Sequence, residues 1–157
     1  MPAPSSAVGQ TMSRDPIGSP QKNRREKWPL PPTVLCVEDE FDALELLECF
    51  LTAEGLSVVI ARSAEEALLK VQEHLPDVIV TDYLMPAMTG LELCGRLREW
   101  EKTRRIPIIV YTALSLPAHS RLYDRTLLKP TDMVELSTQI RALLPAAPRD
   151  TEGGNQP

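Results

Sequence analysis

The sequence predicts an α/β domain, a parallel sheet with helices on both faces. Short runs of Val, Ile and Leu with no polar face recur through the middle of the chain, as strands buried on both sides require. Segments with a helical apolar period separate these runs, and strands alternating with helices through right-handed crossovers build a parallel sheet. A length of 157 residues suits one domain, large enough for its own core.

Residues 1–32 are rich in Pro, Ser, Gly and Gln, lack an apolar period, and read as a disordered arm. Within it, Lys22, Arg24, Arg25 and Lys27 make a basic cluster before Trp28-Pro29, which suits a solvated linker or a weak docking peptide. Thr33-Val34-Leu35-Cys36-Val37 is the first strand and runs into Glu38-Asp39-Glu40. From Phe41 to Glu54, apolar residues at Ala43, Leu44, Leu47, Phe50 and Leu51 oppose Asp42, Glu45 and Glu48, the pattern of an amphipathic helix that Gly55 stops. Ser57 to Ala61 form the second strand. Ser63, with Glu66 completing a capping box, opens a helix to about His74 that turns Ala67, Leu68 and Val71 inward.

The third strand, Val78-Ile79-Val80, ends on Asp82, and the chain leaves through a loop that Pro86 stiffens before Gly90. Thr89 and Glu92 offer another capping box for a helix to about Trp100 carrying Leu91, Leu93, Cys94 and Leu97. Ile106 to Tyr111 form the fourth strand, ending at Thr112. Thr126-Leu127-Leu128 is a brief fifth strand before Lys129-Pro130. Thr131 or Asp132 opens the last helix, through Val134, Leu136, Ile140 and Leu143, and residues 146–157 form a polar, disordered tail.

Charge is uneven: residues 1–32 carry +3, residues 33–145 carry −7 and residues 146–157 carry −1. An acidic folded region argues against nucleic acid as the main partner. No apolar run approaches the ~20 residues that span a bilayer, and no signal peptide opens the chain, so a cytoplasmic protein is expected. Cys36, Cys49 and Cys94 follow no metal or redox spacing and read as buried free thiols. His74 and His119 stand alone and read as surface residues.

Alone, Asp82 would be an ordinary turn residue after a strand. Side chains at the carboxyl ends of parallel strands, however, face a common crevice. Four such ends deliver Glu38 and Asp39, Asp82, Thr112 and Lys129. Carboxylates about 5 Å apart repel by roughly 3–4 kcal/mol per pair at an effective dielectric of about 20. One lysine does not neutralise three acids, so a divalent cation is implied, and oxygen ligands of this kind suit Mg²⁺. A nucleophilic carboxylate, a metal site, a cation and a hydroxyl are the groups that phosphoryl transfer needs.

Val37-Glu38-Asp39, Asp82 with Met85-Pro86 and Gly90, Thr112-Ala113 and Lys129-Pro130 together resemble the receiver domain of two-component response regulators, over about residues 33–145. The likeness is to the stand-alone, chemotaxis-regulator type. It implies a doubly wound five-stranded sheet of flavodoxin-like topology, order 2-1-3-4-5. It also implies Asp82 as phosphoacceptor, taking its phosphoryl group from a sensor histidine kinase or a histidine phosphotransfer protein. Asp39, Asp82 and the Leu84 backbone carbonyl would hold Mg²⁺, with Glu38 acting through water. Lys129, Thr112 and Ala113 would form the phosphoryl-binding and switch group, and Pro130 would be cis.

Four departures stand out. Glu38 replaces a commoner Asp, and its extra methylene is expected to move the carboxylate outward. Seventeen positions separate Thr112 from Lys129, fewer than the family spends, so the fourth helix is expected to be short or irregular. Thr126 occupies a position where the family often has an aromatic residue. Leu84 and Leu114 stand where polar residues are common, which predicts a long-lived aspartyl phosphate.

Three functions compete. A phosphorylatable single-domain receiver leads, with no DNA-binding domain expected, an unidentified output protein, and no enzyme activity beyond Mg²⁺-dependent self-phosphorylation and its reversal. The alternative is a phosphorylation-independent adaptor with the same fold. An Mg²⁺-dependent phosphohydrolase is disfavoured because the chain has no room for a substrate cap.

Overall fold

The apolar runs form strands because Val, Ile and Leu alternate between two cores on either side of one sheet. The computed structural model describes residues 30–145. The elements are β1 (Thr33–Val37), α1 (Phe41–Ala53), β2 (Ser57–Ala61), α2 (Ala64–Glu73), β3 (Val78–Thr81), α3 (Gly90–Glu99), β4 (Ile108–Thr112), β5 (Arg125–Leu128) and α4 (Met133–Leu143). The sheet is five-stranded and parallel in the order β2-β1-β3-β4-β5, as expected. The expected arm and tail lie outside the described residues, except for a few residues before β1.

Leu35, Val37, Ile79, Ile108 and Val110 face α2 and α3, where Ala67, Val71, Leu93 and Leu97 close the first core. Val34, Cys36, Val78, Val80, Ile109 and Tyr111 face α1 and α4, against Leu44, Leu47, Leu51, Leu136 and Ile140. The period of two along each strand thus feeds both layers. Thr89 and Glu92 make the predicted capping box on α3. At α2 only half the predicted box forms. Ser63 accepts from Glu66 N, but Glu66 accepts from Arg62 N, one residue before the cap. Gly55 ends α1 with φ 87°, a conformation that glycine adopts freely.

Two expectations need correction. Cys36 and Cys94 are buried, and burial pushes both thiols up to about 12, which keeps them protonated. Cys49 is exposed, because it lies one turn after Glu45 on the outer face of α1. The short or irregular helix expected before β5 is not a helix at all: residues 113–124 carry none. Pro117 removes a backbone donor, and no apolar period runs through the segment to bury a helical face.

Side chains do the work of the missing helix. Tyr123 is buried against the α2–α3 core, with Leu116 and Leu122 beside it, and its hydroxyl donates to Pro117 O at 2.9 Å. Asp124 Oδ2 accepts from Ile108 N at 2.8 Å and from Arg98 Nη2 at 2.9 Å, and Arg98 Nη1 also donates to Ile106 O at 2.7 Å. Tyr123→Ala is therefore expected to destabilise the fold by about 3 kcal/mol, and Tyr123→Phe by about 1 kcal/mol, in urea unfolding. Equal costs for the two would deny the hydroxyl its role.

Candidate functional site

The carboxyl ends of four parallel strands meet at one edge of the sheet. Backbone bonds tie them together: Asp82 N donates to Val37 O at 3.0 Å and Lys129 N to Thr112 O at 2.8 Å. One carboxylate oxygen from each of Glu38, Asp39 and Asp82 lies within 4.8 Å of the others. Lys129 Nζ donates to Glu38 Oε2 at 2.6 Å and to Asp82 Oδ2 at 3.4 Å. Asp82 Oδ1 accepts from Tyr83 N at 2.7 Å. The predicted acids and lysine therefore converge, although Asp39 and Lys129 lie ninety positions apart in the chain.

Glu38 corrects one expectation. Its side chain does not move outward; the residue is only 3% exposed. The longer side chain reaches across to Lys129, and its other oxygen accepts from Glu40 N at 3.2 Å. Burial pushes the Glu38 carboxyl above its usual range, against the pull of the Lys129 ammonium. Burial acts on Lys129 in the opposite sense, but its bond to Glu38 and the charge of Asp82 outweigh it and hold the ammonium above its ordinary value.

Thr112 is buried at the end of β4, and its hydroxyl accepts from Leu114 N at 3.3 Å, which leaves its own proton to donate. Ala113 beside it is exposed, as are Leu84 and Leu114. The Lys129–Pro130 peptide is cis, as expected. His74 and His119 are exposed, as expected.

Three carboxylates against one ammonium leave two negative charges uncompensated, all on hard oxygen donors. That donor set fits a divalent cation such as Mg²⁺.

Sequence reading missed Tyr111. Its ring lies under the Lys129 ammonium, 5.1 Å from Nζ to the ring centroid, and its hydroxyl donates to Thr131 O at 3.5 Å. Such a cation–π contact contributes about 0.5–2 kcal/mol and orients the ammonium. The strand period assigns Tyr111 to the core opposite Thr112, so no local signal marked it. Only the return of β5 beside β4 brings Lys129 over the ring.

The loop after Asp82 is tightly built. Ala87 stands at φ 65°, which costs a non-glycine residue about 1–2 kcal/mol. Gly90 N donates to Tyr83 O at 2.8 Å. A Cβ at Gly90 would lie 1.9 Å from the backbone oxygen of Asp82, so the first residue of α3 must be glycine for the loop to close.

The family model of the response regulator receiver domain matches residues 34–141. The phosphate regulon transcriptional regulatory protein PhoB of Rhizobium meliloti (strain 1021) is 36% identical over 118 residues, covering 72% of this chain and 52% of its own. An uncharacterized 14.6 kDa protein of Leptolyngbya boryana is 36% identical over 127 residues, covering 74% of this chain and 93% of its own. The chain thus spans about half the length of PhoB and nearly all of the smaller relative. Chemotaxis protein CheY4 of Vibrio cholerae superposes with TM-score 0.68 at 28% identity, over 73% of this chain and 99% of that one. Response regulator TrrA of Thermotoga maritima, solved in complex with Mg²⁺ and BeF, superposes with TM-score 0.66 at 32% identity, over 72% and 99%.

Gly90→Ala is expected to destabilise the fold by about 1–3 kcal/mol and to shift the amide resonances of Asp82 and Tyr83. Gly95→Ala, where an added Cβ meets nothing within 4 Å, is expected to stabilise α3 by about 0.5–1 kcal/mol. Equal effects of the two substitutions would remove the special role of Gly90.

Proposed function

The chain belongs to the response regulator receiver domain family, and on that premise we propose that it accepts a phosphoryl group on Asp82 from a phosphohistidine. The donor is a sensor histidine kinase or a histidine phosphotransfer protein. The observation that carries this reading is the meeting of Asp82 with Glu38, Asp39 and Lys129 at one edge of the sheet. The solved complex of TrrA with Mg²⁺ and BeF supports it by likeness.

In the transfer, a carboxylate oxygen of Asp82 bonds to phosphorus while the bond from phosphorus to the partner's imidazole nitrogen breaks. The imidazole leaves with that electron pair. Asp39, Asp82 and the Leu84 carbonyl would hold Mg²⁺, with Glu38 reaching it through water; the cation supplies positive charge for the phosphoryl oxygens. Lys129 is already within 3.4 Å of Asp82 Oδ2, so an oxygen added there finds an ammonium in reach. Tyr111 holds that ammonium from below. The Thr112 hydroxyl donates to the same group, with Ala113 beside it. The chain turns over no external substrate on this reading; its chemistry is its own phosphorylation and the hydrolysis that reverses it.

The output is a protein partner not identified by this chemistry, in the cytoplasm. No helix among the described residues is long and apolar enough to cross a membrane. A second reading is a phosphorylation-independent adaptor, and two observations favour it: residues 113–124 form no helix, and Thr126 stands where the family often has an aromatic residue. With magnesium and acetyl phosphate, the intact mass is expected to rise by one phosphoryl group in the wild type and not in Asp82→Asn. No rise in either would leave the adaptor.

Leu84 is 57% exposed and Leu114 39% exposed. Two apolar side chains beside the acyl phosphate hold and orient no attacking water, which gives the long-lived aspartyl phosphate we propose. Leu84→Asn is expected to shorten its half-life several-fold in a phosphate-release assay. An unchanged half-life would sink the idea.

A further inference from the structure

Between α2 and α3 runs a long groove of two chemically different halves. One half, of about 690 Å³, is lined by Leu68, Val71, Leu97 and Trp100. The other, of about 670 Å³, is lined by Glu65, Glu92 and Met88. Arg96 and Glu99 line both halves. Among the described residues, none of Glu65, Glu92, Arg96 and Glu99 takes part in an ion pair within 4.0 Å, whereas Glu66 and Asp124 nearby are both paired. The groove thus offers an apolar end and an acidic end whose carboxylates pair with no cation among the described residues, Glu92 also accepting from Thr89 N in the α3 capping box.

We propose that this groove is the docking site of the chain's own residues 22–28. That segment carries Lys22, Arg24, Arg25 and Lys27 against the single acid Glu26, and then Trp28. Its order matches the groove. Thr33 N donates to Asp77 Oδ2 at 2.7 Å and Asp77 N to Thr33 O at 2.8 Å, so the chain enters β1 beside the loop leaving α2. Trp100 follows the last turn of α3, and antiparallel packing of helix on strand puts it at that same end. Trp28, five residues before Thr33, meets the apolar half first. The basic residues before it continue towards Glu65 and Glu92.

The lengths agree. Glu65 and Gln72 mark the two ends along α2, about 10 Å apart at 1.5 Å per residue. Six extended residues from Trp28 back to Lys22 span about 20 Å. Charge pairing across a solvated groove is worth little per pair, so the aromatic anchor in the apolar half is what holds the segment. Tethering makes the encounter intramolecular and raises its effective concentration.

The test keeps the full chain. Zero-length carbodiimide coupling, mapped by mass spectrometry in the monomer fraction, is expected to join Lys22 or Lys27 to Glu65, Glu92 or Glu99 several-fold more often than to Asp42 or Glu45 on α1. The yield is expected to fall in about 1 M salt, where the screening length is ~3 Å, and in Trp28→Ala. In a second measurement, Trp28→Ala is expected to shift the amide resonances of Gly95 and Trp100 and leave those of α1 in place. Coupling spread evenly over exposed carboxylates overturns the proposal, as does coupling found only between two chains. So do groove resonances that do not move.

Discussion

A single ammonium among three carboxylates is the constraint on which the rest of this molecule depends. The ends of β1 and β3 aim like charges at one mouth, and nothing in the hydrophobic layers offsets that repulsion. Lys129 does so only because β5 returns beside β4 and sets its side chain between Glu38 and Asp82. Burial raises the Glu38 carboxyl while its ion pair with Lys129 draws it down, so the two groups hold each other in a partly dry site. The remaining negative charge is what makes this edge a candidate site for a divalent cation.

Much of this was legible in the chain. Val, Ile and Leu runs mark the three interior strands because a parallel sheet covered on both faces leaves no polar side. The convergence of Glu38, Asp39, Asp82 and Lys129 followed from the topology alone. What could not be read depends on contacts between distant residues. Glu38 folds inward rather than outward because Lys129 waits there, ninety-one positions away. Tyr111 looked like core because its partner arrives from the next strand. Cys49 was misjudged for a simpler reason: an apolar neighbourhood in sequence is not a buried face on a helix. Glu66 turned to Arg62 N instead of Ser63 N, a choice that local spacing does not decide.

The stretch between β4 and β5 illustrates how a layer is kept closed without a helix. Tyr123, Leu116 and Leu122 cover the apolar surface of the sheet, while Arg98 and Asp124 satisfy the backbone groups that a helix would otherwise shelter. The loop therefore owes its shape to side chains, through the Tyr123–Pro117 bond within it and the anchors on α3 and β4, and not to a helical ladder. The same logic operates at Gly90, where the backbone of Asp82 occupies the space of a side chain.

As the last strand in the order, β5 presents one margin of the sheet that no other strand among the described residues covers, and exposed margins invite strand-on-strand polymerisation. This one spans only Arg125–Leu128, with the Asp124 carboxylate before it and Pro130, which has no amide hydrogen, soon after. A second chain would find at most four residues to pair with before meeting a charge at one end and a missing donor at the other. Brevity at this border keeps copies of the protein from adding to one another as fibrils.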